Sequence, residues 1–364
     1  MLGQARTLRE ERDLNLLILL EGVRPGGAEQ DVLRLAQGLG ARGHRVVIGA
    51  RGEPMLDLAR RHGAAVLSLR GTGGLGRIVR TCREQRIDLV NAHSIRMTFL
   101  AGIGVRTGLI RVPLVTTIHN VSERRNDWLA YPVLRLLPDR LSFVSRYEQS
   151  RLEARWGRRL GQVVHTGIEI HDPDAIEPLD LEARHGIPAG ARVIGCVGRL
   201  STEKAVEDAI AALADLPQDA VLCIVGSGPE EGALRAAANE RGLADRVCFA
   251  GYSDEVLGYL RSFDLLVLPS RRESLPVVLR EAGMMRLPVV AADVGGVSEI
   301  VVPGETGLIY RSGDVDALTE GIRSLLEEPM RAARMGEQAR TRVLEHFSLD
   351  RWLDAAEALF AELA

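Results

Sequence analysis

The sequence predicts an α/β protein of two domains, each a parallel sheet flanked by helices. Three observations predict it. Short apolar runs alternate with helix-length stretches from end to end, the pattern of parallel α/β units. At 364 residues the chain is long for one hydrophobic core, so two domains are the natural division. Several apolar runs also stop at glycine-rich or charged turns, and open α/β sheets bind ligands at the carboxyl ends of their strands.

Composition narrows the class. With 46% hydrophobic and 26% charged residues the chain has the balance of a soluble globular protein. No run approaches the roughly 18 apolar residues that span a bilayer. The polar first 13 residues read as a frayed tail and do not resemble a signal peptide. The four cysteines show no metal or disulfide spacing and lie in apolar runs, so buried thiols in a reducing cytoplasm are expected.

In the first domain, residues 14–170, Asn15 to Leu20 is a buried strand. It leads into Glu21-Gly22-Val23-Arg24-Pro25-Gly26-Gly27, with a helix starting near Ala28. Glycines between a strand and a helix let an anion or a sugar approach the backbone. The G-x-G-x-x-G fingerprint is absent there, which argues against a nicotinamide dehydrogenase. Further strands are expected at Arg45–Ala50, Ala65–Leu69, Asp88–Ala92, Pro113–His119, Arg140–Ser145 and Gln162–Thr166. His93 and His119 fall at carboxyl ends of strands, and His119 is the candidate active-site residue. His44, after Arg42-Gly43, reads as a solvated turn residue.

Charge is divided unevenly. Residues 1–170 hold 27 Arg against 16 acidic residues, a balance of +11, while residues 171–364 hold 19 basic against 33 acidic, a balance of −14. The basic front half is expected to face something anionic. Between Glu123 and Arg140, Trp128, Tyr131 and several leucines are interleaved with arginines, a pattern that suits a helix on an anionic membrane surface as well as one packed on the sheet.

The acidic, proline-containing stretch His165 to Pro178 is expected to link the domains. The second domain, residues 171–348, restarts with a strand at Val193–Gly198, followed by Arg199-Leu200-Ser201-Thr202-Glu203-Lys204 opening a helix. The chain contains 45 arginines and one lysine, Lys204. Lysine is a compact point charge where arginine is a planar fork, so its single use calls for a reason. Arg199 and Lys204 together can hold a diphosphate and neutralise it as it leaves, the work Mg²⁺ does elsewhere. A strand at Val221–Val225 then enters Gly226-Ser227-Gly228-Pro229, a tight turn near the ligand. Asp172-Pro173-Asp174 and Asp314-Val315-Asp316 match the D-x-D pattern of metal-dependent sugar transferases, but loop and helix-cap roles account for them and no catalytic metal is expected.

The strongest chemical signal lies in Leu265 to Val302. A buried strand, Leu265–Leu268, ends in a polar turn with Glu273, and Ser274 is placed to cap a helix whose second residue is Pro276. Glu281 follows eight residues after Glu273, two turns into that helix. A second strand, Pro288–Ala292, leads to Gly295-Gly296 and a short helix from about Val297. Two carboxylates suit sugar hydroxyls and bare glycine N–H groups at a helix start suit a diphosphate, so the segment reads as a nucleotide-sugar site. The last helix, Leu349 to Leu363, is amphipathic and is expected to pack back on the first domain.

On these residues the chain resembles the retaining glycosyltransferases of family 4, with the GT-B fold of two facing Rossmann-like domains and a deep cleft between them. Gly26-Gly27-Ala28-Glu29, His119, Gly198-Arg199-Leu200, Glu203-Lys204, Gly226-Ser227-Gly228-Pro229, the Glu273/Glu281 pair and Gly295-Gly296 with Glu299 carry the resemblance, in order, over residues 15–310. It implies that Arg199 and Lys204 bind the donor diphosphate and that Glu281 holds the ribose. It implies that Glu273 and the Gly295-Gly296 amides contact the transferred sugar and the phosphates. Gly26-Gly27 would close over the diphosphate, with His119 beside the sugar. Three positions depart from the pattern: Ala205 replaces a usual glycine, His165-Thr166-Gly167-Ile168-Glu169 replaces an Asn-Gly-Ile/Val-Asp-like run, and Arg286 replaces a small turn residue.

The expected activity is metal-independent transfer, with retention, of a sugar from a nucleoside diphosphate to a hydroxyl of a lipid-linked or cell-envelope glycan. No cofactor and no nucleic-acid partner are expected. The expected location is the cytoplasm or the inner face of the cell membrane. Two rivals share the fold: a nucleotide-sugar 2-epimerase, and an inactive nucleotide-sugar-binding protein.

Overall fold

The computed structural model describes the chain except for residues 1–12, 23–26, 120–129 and 158–159. The chain forms two compact units. One takes its described residues from Met1–Phe143, Gly157–Val164 and Leu353–Ala364, the other from Val144–Trp156 and His165–Trp352.

The first unit holds seven strands: β1 (Asn15–Leu20), β2 (Arg45–Ala50), β3 (Ala65–Ser68), β4 (Leu89–Ala92), β5 (Leu114–Ile118), β6 (Arg140–Phe143) and β7 (Gly161–Val163). Their order is β3-β2-β1-β4-β5-β6-β7, and every pairing is parallel. The six-stranded sheet of the second unit contains β8 (Arg192–Val197), β9 (Ala220–Val225), β10 (Val247–Gly251), β11 (Leu265–Leu268), β12 (Val289–Ala292) and β13 (Leu308–Tyr310). Its order is β10-β9-β8-β11-β12-β13, again parallel throughout.

Both sheets are covered on both faces. Leu16, Leu17, Ile18 and Leu19 of β1 are all almost completely buried, although consecutive side chains on a strand point to opposite faces. That is why these strands read as continuous apolar runs rather than alternating ones. Each fully buried leucine or isoleucine contributes about 1.5–3 kcal/mol. Each sheet reverses its winding once, between β1 and β4 in the first unit and between β8 and β11 in the second. Such switch points part the strand ends and leave room for a ligand there.

Two expectations from the sequence need revision. His44 is not a solvated turn residue. Its Nδ1 accepts from the Leu14 N–H at 3.0 Å and its Nε2 lies 3.0 Å from Glu357, so it ties the start of β1 to the terminal helix Leu349–Leu363. Arg42 adds two ion pairs at 2.8 Å, to Asp354 and Glu357 of that helix. In the stretch His165 to Pro178, Ile168 is buried and bridges to Ser348, and Asp172 caps a 3-10 turn at Pro173–Ala175. The unit boundaries also differ from a cut at residue 170, because Val144 and the helix Arg146–Trp156 belong with the second unit. Val144 packs in that unit's core, and the helix N-terminus is held there by Glu299.

Candidate functional site

In the second unit the predicted residues gather at the switch point. Gly198, Arg199 and Leu200 follow β8, while Ser270 and Glu273 follow the neighbouring β11. Lys204 donates to Glu273 Oε1 at 2.6 Å, and Ser270 Oγ bonds the same oxygen at 2.7 Å. The Arg271 N–H donates to the Glu203 carbonyl at 2.8 Å, so backbone as well as side chain joins the two turns. Arg271 is itself anchored on Asp208, and Arg272 on Glu203 at 3.0 Å. The Glu273 side chain is 9% exposed and that of Lys204 29%, whereas Arg199 is exposed. The arrangement presents one partly exposed ammonium and one exposed guanidinium beside a held carboxylate.

Lys204 does not open an α-helix. It ends a 3-10 turn, Thr202–Lys204, and the helix Val206–Leu213 begins after Ala205, which has φ 48°. A left-handed residue between the two pieces explains why a glycine is the usual choice there. For alanine this conformation costs roughly 1–2 kcal/mol. Ala205→Gly removes that cost, but it also frees the unfolded chain and loses a buried methyl group. We therefore expect the urea unfolding midpoint to move by less than about 1 kcal/mol equivalent.

The site glycines serve close packing of the turns. A Cβ on Gly226 would lie 1.9 Å from the Gly198 carbonyl oxygen, and one on Gly228 would lie 2.1 Å from that of Leu200. On the other side of the switch point, a Cβ on Gly295 would meet the Glu273 carbonyl oxygen at 1.8 Å and one on Gly296 the Ser274 carbonyl oxygen at 2.1 Å. Each turn can therefore touch its neighbour only without a side chain. Gly295 has φ 60°, and Gly296 precedes the four-residue helix Val297–Ile300. Neither the Gly295 nor the Gly296 N–H is hydrogen-bonded among the described residues. These donors suit an anionic oxygen.

Two details of the acidic pair differ from expectation. Ser274 is not the helix cap: the helix runs Val277–Met284 and Pro276 occupies the cap position. Glu281 is consequently the fifth residue of that helix, little more than one turn in. Beside it, Arg280 is fully buried, donating to the Thr166 carbonyl at 2.6 Å and the Thr166 hydroxyl at 3.0 Å. Nothing in the local sequence marks Arg280 as a core residue, since Thr166 lies 114 positions away.

Glu299 has partners within the second unit. Its carboxylate accepts from the N–H groups of Arg146 at 2.9 Å and Tyr147 at 3.0 Å, and it lies 2.7 Å from His165 Nε2. Burial pushes the Glu299 carboxyl up, but His165 and the two N–H groups outweigh it and hold it below its usual range. A carboxyl lowered on folding stabilises the protein above its unfolded pKa and ceases to do so as pH falls through the folded one. Wild type should thus exceed Glu299→Gln in stability at pH 7 by about 1 kcal/mol, allowing for solvent screening. The difference should close as urea titrations are carried below the ordinary carboxylate range.

In the first unit, His119 follows β5 and His93 follows the adjacent β4. His93 Nδ1 and His119 Nε2 are 2.8 Å apart, and His93 Nε2 is 2.6 Å from Asn91 Oδ1. Burial, and then the charge His119 can carry, hold His93 well below the ordinary histidine range, so it stays neutral at pH 7. The pairing was legible as N-x-H and T-x-H at the ends of two strands, Asn91-Ala92-His93 and Thr117-Ile118-His119, once β4 and β5 are known to be neighbours. Gly27 is the first residue of the helix Gly27–Ala41, while Gly26 lies outside the described residues. Trp128 lies outside them as well. The described helix Ala130–Leu136 buries Leu134 and exposes Leu136, and Arg106 bonds the Leu136 and Leu137 carbonyls.

Other candidates resolve simply. Asp314 caps the helix Val315–Glu327 by accepting from the Ala317 N–H. Burial pushes the Cys82 and Cys196 thiols up to about 11 and about 12, so neither is a nucleophile at neutral pH. Among the described residues, no three His, Cys, Asp or Glu side chains come together in a way that could hold a metal ion. Nor is any helix among them long and apolar enough to cross a membrane.

Residues 180–342 match the family described as Glycosyl transferases group 1, and residues 25–172 match Glycosyltransferase Family 4. A GDP-mannose-dependent alpha-(1-6)-phosphatidylinositol monomannoside mannosyltransferase of Mycolicibacterium smegmatis is 32% identical over 281 residues, covering 70% of each chain. This chain belongs to the group 1, family 4 glycosyltransferases. The lipopolysaccharide core biosynthesis mannosyltransferase LpcC of Rhizobium leguminosarum is 31% identical over 266 residues, covering 70% of this glycosyltransferase and 73% of the relative. Among solved structures, Anabaena HepE in complex with UDP has the same fold, with a TM-score of 0.87 at 22% identity over 96% of this chain and 100% of its own. A glycosyltransferase from Rickettsia africae gives 0.85 at 18% identity, over 96% and 98%. The fold of this glycosyltransferase is therefore GT-B, two parallel-sheet domains flanked by helices.

Proposed function

We propose that this glycosyltransferase moves a sugar from a nucleoside diphosphate sugar to a hydroxyl of a lipid-linked or cell-envelope glycan, with retention at the anomeric carbon and without a catalytic metal. The observation that carries the reading is Lys204 seated 2.6 Å from Glu273 at the switch point of the second sheet, on the turn that also bears Arg199. An ammonium and a guanidinium close to the leaving diphosphate stabilise the charge that develops as the glycosidic bond breaks. Glu273 offers its carboxylate to sugar hydroxyls, Glu281 to the ribose, and the N–H groups of Gly295 and Gly296 to phosphate oxygens. For His119 the family resemblance implies a contact with the sugar.

The named relatives support the substrate classes: one uses GDP-mannose and a phosphatidylinositol mannoside, another builds a lipopolysaccharide core, and HepE binds UDP. A lipid-linked acceptor would bring the enzyme to the inner face of the cell membrane. Retention rests on the resemblance to the retaining family 4 enzymes.

The test is a thermal-shift and hydrolysis screen of GDP, UDP and ADP sugars, run with EDTA present. We expect one nucleotide class to stabilise the protein and to lose its sugar slowly. A strict metal requirement would overturn the metal-free reading, and failure of every donor would overturn the site. Conversion of donor to its 2-epimer without acceptor would replace transfer by isomerisation.

A further inference from the structure

We propose that Cys223 and Cys248 form an oxidative modification site, in which hydrogen peroxide joins them as a disulfide and a small-molecule thiol releases them. The effect on activity rests on the reading of the second unit's turns as the donor site, whereas the modification itself does not.

The two cysteines are far apart in sequence, and the sheet makes them neighbours. Cys223 of β9 pairs with Cys248 of β10 in parallel register, so both side chains leave the sheet on the same face. Cys223 is completely buried in the hydrophobic core on that face, and Cys248 packs against the same core while remaining partly exposed. Cys196 of β8 lies in the other core of this unit, and Cys82 belongs to the first unit. β10 is an edge strand, which leaves Cys248 open to a small reagent.

Their surroundings give the two thiols different roles. The Cys223 S–H stabilises a thiolate on Cys248 and outweighs burial; with the charge of Arg235 it holds Cys248 below the ordinary thiol range. Arg235 is steadied over the Phe249 ring at 4.3 Å and by Glu231 at 2.9 Å. The same hydrogen bond, and then burial, push Cys223 up. A partly exposed cysteine beside a cation, with a buried thiol next to it, is the arrangement of an attacking and a resolving cysteine.

The Cys248 thiolate attacks one oxygen of peroxide, the O–O bond breaks and hydroxide leaves, giving the sulfenic acid of Cys248. The Cys223 sulfur then attacks the Cys248 sulfur, the S–S bond forms, the S–O bond breaks and water leaves with the Cys223 proton. Two thiols lose two electrons and two protons in all, and one peroxide becomes two waters.

Closing the bond moves backbone. Neighbouring strands stand about 4.8 Å apart, whereas a disulfide brings its Cβ atoms to about 3.8 Å, so β9 and β10 approach by about 1 Å at this point. The ladder is already irregular just beyond, between Phe249 and Gly251, where β10 can give. Gly226, which follows β9, donates its N–H to the Gly251 carbonyl at 2.7 Å and packs on Gly198 with no room for a Cβ. The approach of the strands is therefore passed to the Gly226–Gly228 turn. A bond closed under such strain is also easily reduced.

The full-length protein, reduced and then freed of reductant, is treated with hydrogen peroxide. Its thiols are counted in urea with a chromogenic disulfide, and its peptides are mapped by mass spectrometry. The four free thiols should fall to two, with Cys223 and Cys248 in one linked pair of peptides. In Cys223→Ser, which lacks the resolving thiol, dimedone should label Cys248. With GDP-mannose or UDP-glucose, whichever wild type hydrolyses, the rate should fall about tenfold on oxidation and return with dithiothreitol. Cys248→Ser should keep the wild-type rate and ignore peroxide. Four thiols still free after peroxide, or a bond to Cys82 or Cys196, overturns the site. A disulfide that forms and leaves the rate unchanged overturns its effect on the turn. Failure to hydrolyse any donor instead overturns the donor-site reading, and the effect on activity with it, while the linked peptides still decide the modification. Should Cys223→Ser fail to fold, Cys223→Ala takes its place.

Discussion

Lys204→Ala is expected to lower kcat for sugar transfer by about 10²–10³-fold, the equivalent of roughly 3–4 kcal/mol of lost transition-state stabilisation. The charge on a leaving diphosphate grows as the glycosidic bond breaks, so a fixed ammonium is worth more in the transition state than in the bound donor. The donor KM should therefore rise far less than kcat falls. Stability should change by only about 1 kcal/mol, since the pair with Glu273 is partly open to solvent. Lys204→Arg should recover little, because a wide planar guanidinium does not reproduce the compact point charge that Lys204 sets 2.6 Å from Glu273. Steady-state kinetics with the donor from the screen, read beside urea unfolding, check both statements. A loss below tenfold in Lys204→Ala would remove Lys204 from the chemistry.

Gly295→Ala should be nearly as damaging, by a different route. Its Cβ would stand 1.8 Å from the Glu273 carbonyl oxygen, and φ of 60° is unfavourable for alanine. The left-handed conformation costs roughly 1–2 kcal/mol and the overpacking roughly 1–3 more, so a destabilisation of about 2–5 kcal/mol is expected. The backbone has to separate by more than an ångström, and it carries Glu273 away from Lys204. Displacements of that size at a positioned group cost about 10²-fold in rate. The effect should persist at temperatures where the variant remains folded, which distinguishes misplaced chemistry from simple unfolding. Gly304→Ala serves as the comparison: its φ is 77° but nothing lies within 4 Å of an added Cβ, so it should lose only the conformational cost. Equal behaviour of the two variants would show that crowding at Glu273 is not what Gly295 prevents.

Most strands were legible because they are buried on both faces, and an apolar run between turn residues leaves few other readings. Asn15–Leu20, Arg45–Ala50 and Leu265–Leu268 have the ends expected of them. The glycine turns were legible too, though not everything they do. The sequence marks Gly226-Ser227-Gly228 as a tight turn and Gly295-Gly296 as a phosphate cradle, and the structure adds that both make room for a neighbouring backbone: Gly226 against Gly198, Gly295 against Glu273. The Gly295 and Gly296 N–H groups, unbonded among the described residues, are the ones proposed to meet phosphate oxygens. Helix starts were less legible. Ser274 looked like a cap and Lys204 like the first turn of a helix, but local signals do not reveal a proline cap or a left-handed Ala205.

Local chemistry in the chain was enough to specify two parallel-sheet domains, the lone lysine, the Glu273/Glu281 pair and the two strand-end histidines, because each follows from residue type and spacing over a few positions. Partnership was not contained in it. That His44 clasps Glu357, that Glu299 holds the N–H groups of Arg146 and Tyr147, that Arg280 is buried on Thr166 and that His93 lies within hydrogen-bond distance of His119 all depend on residues brought together across the fold. Hydrogen bonds and ion pairs act over about 3 Å, a distance that sequence separation does not encode and that only the order and register of the strands establishes.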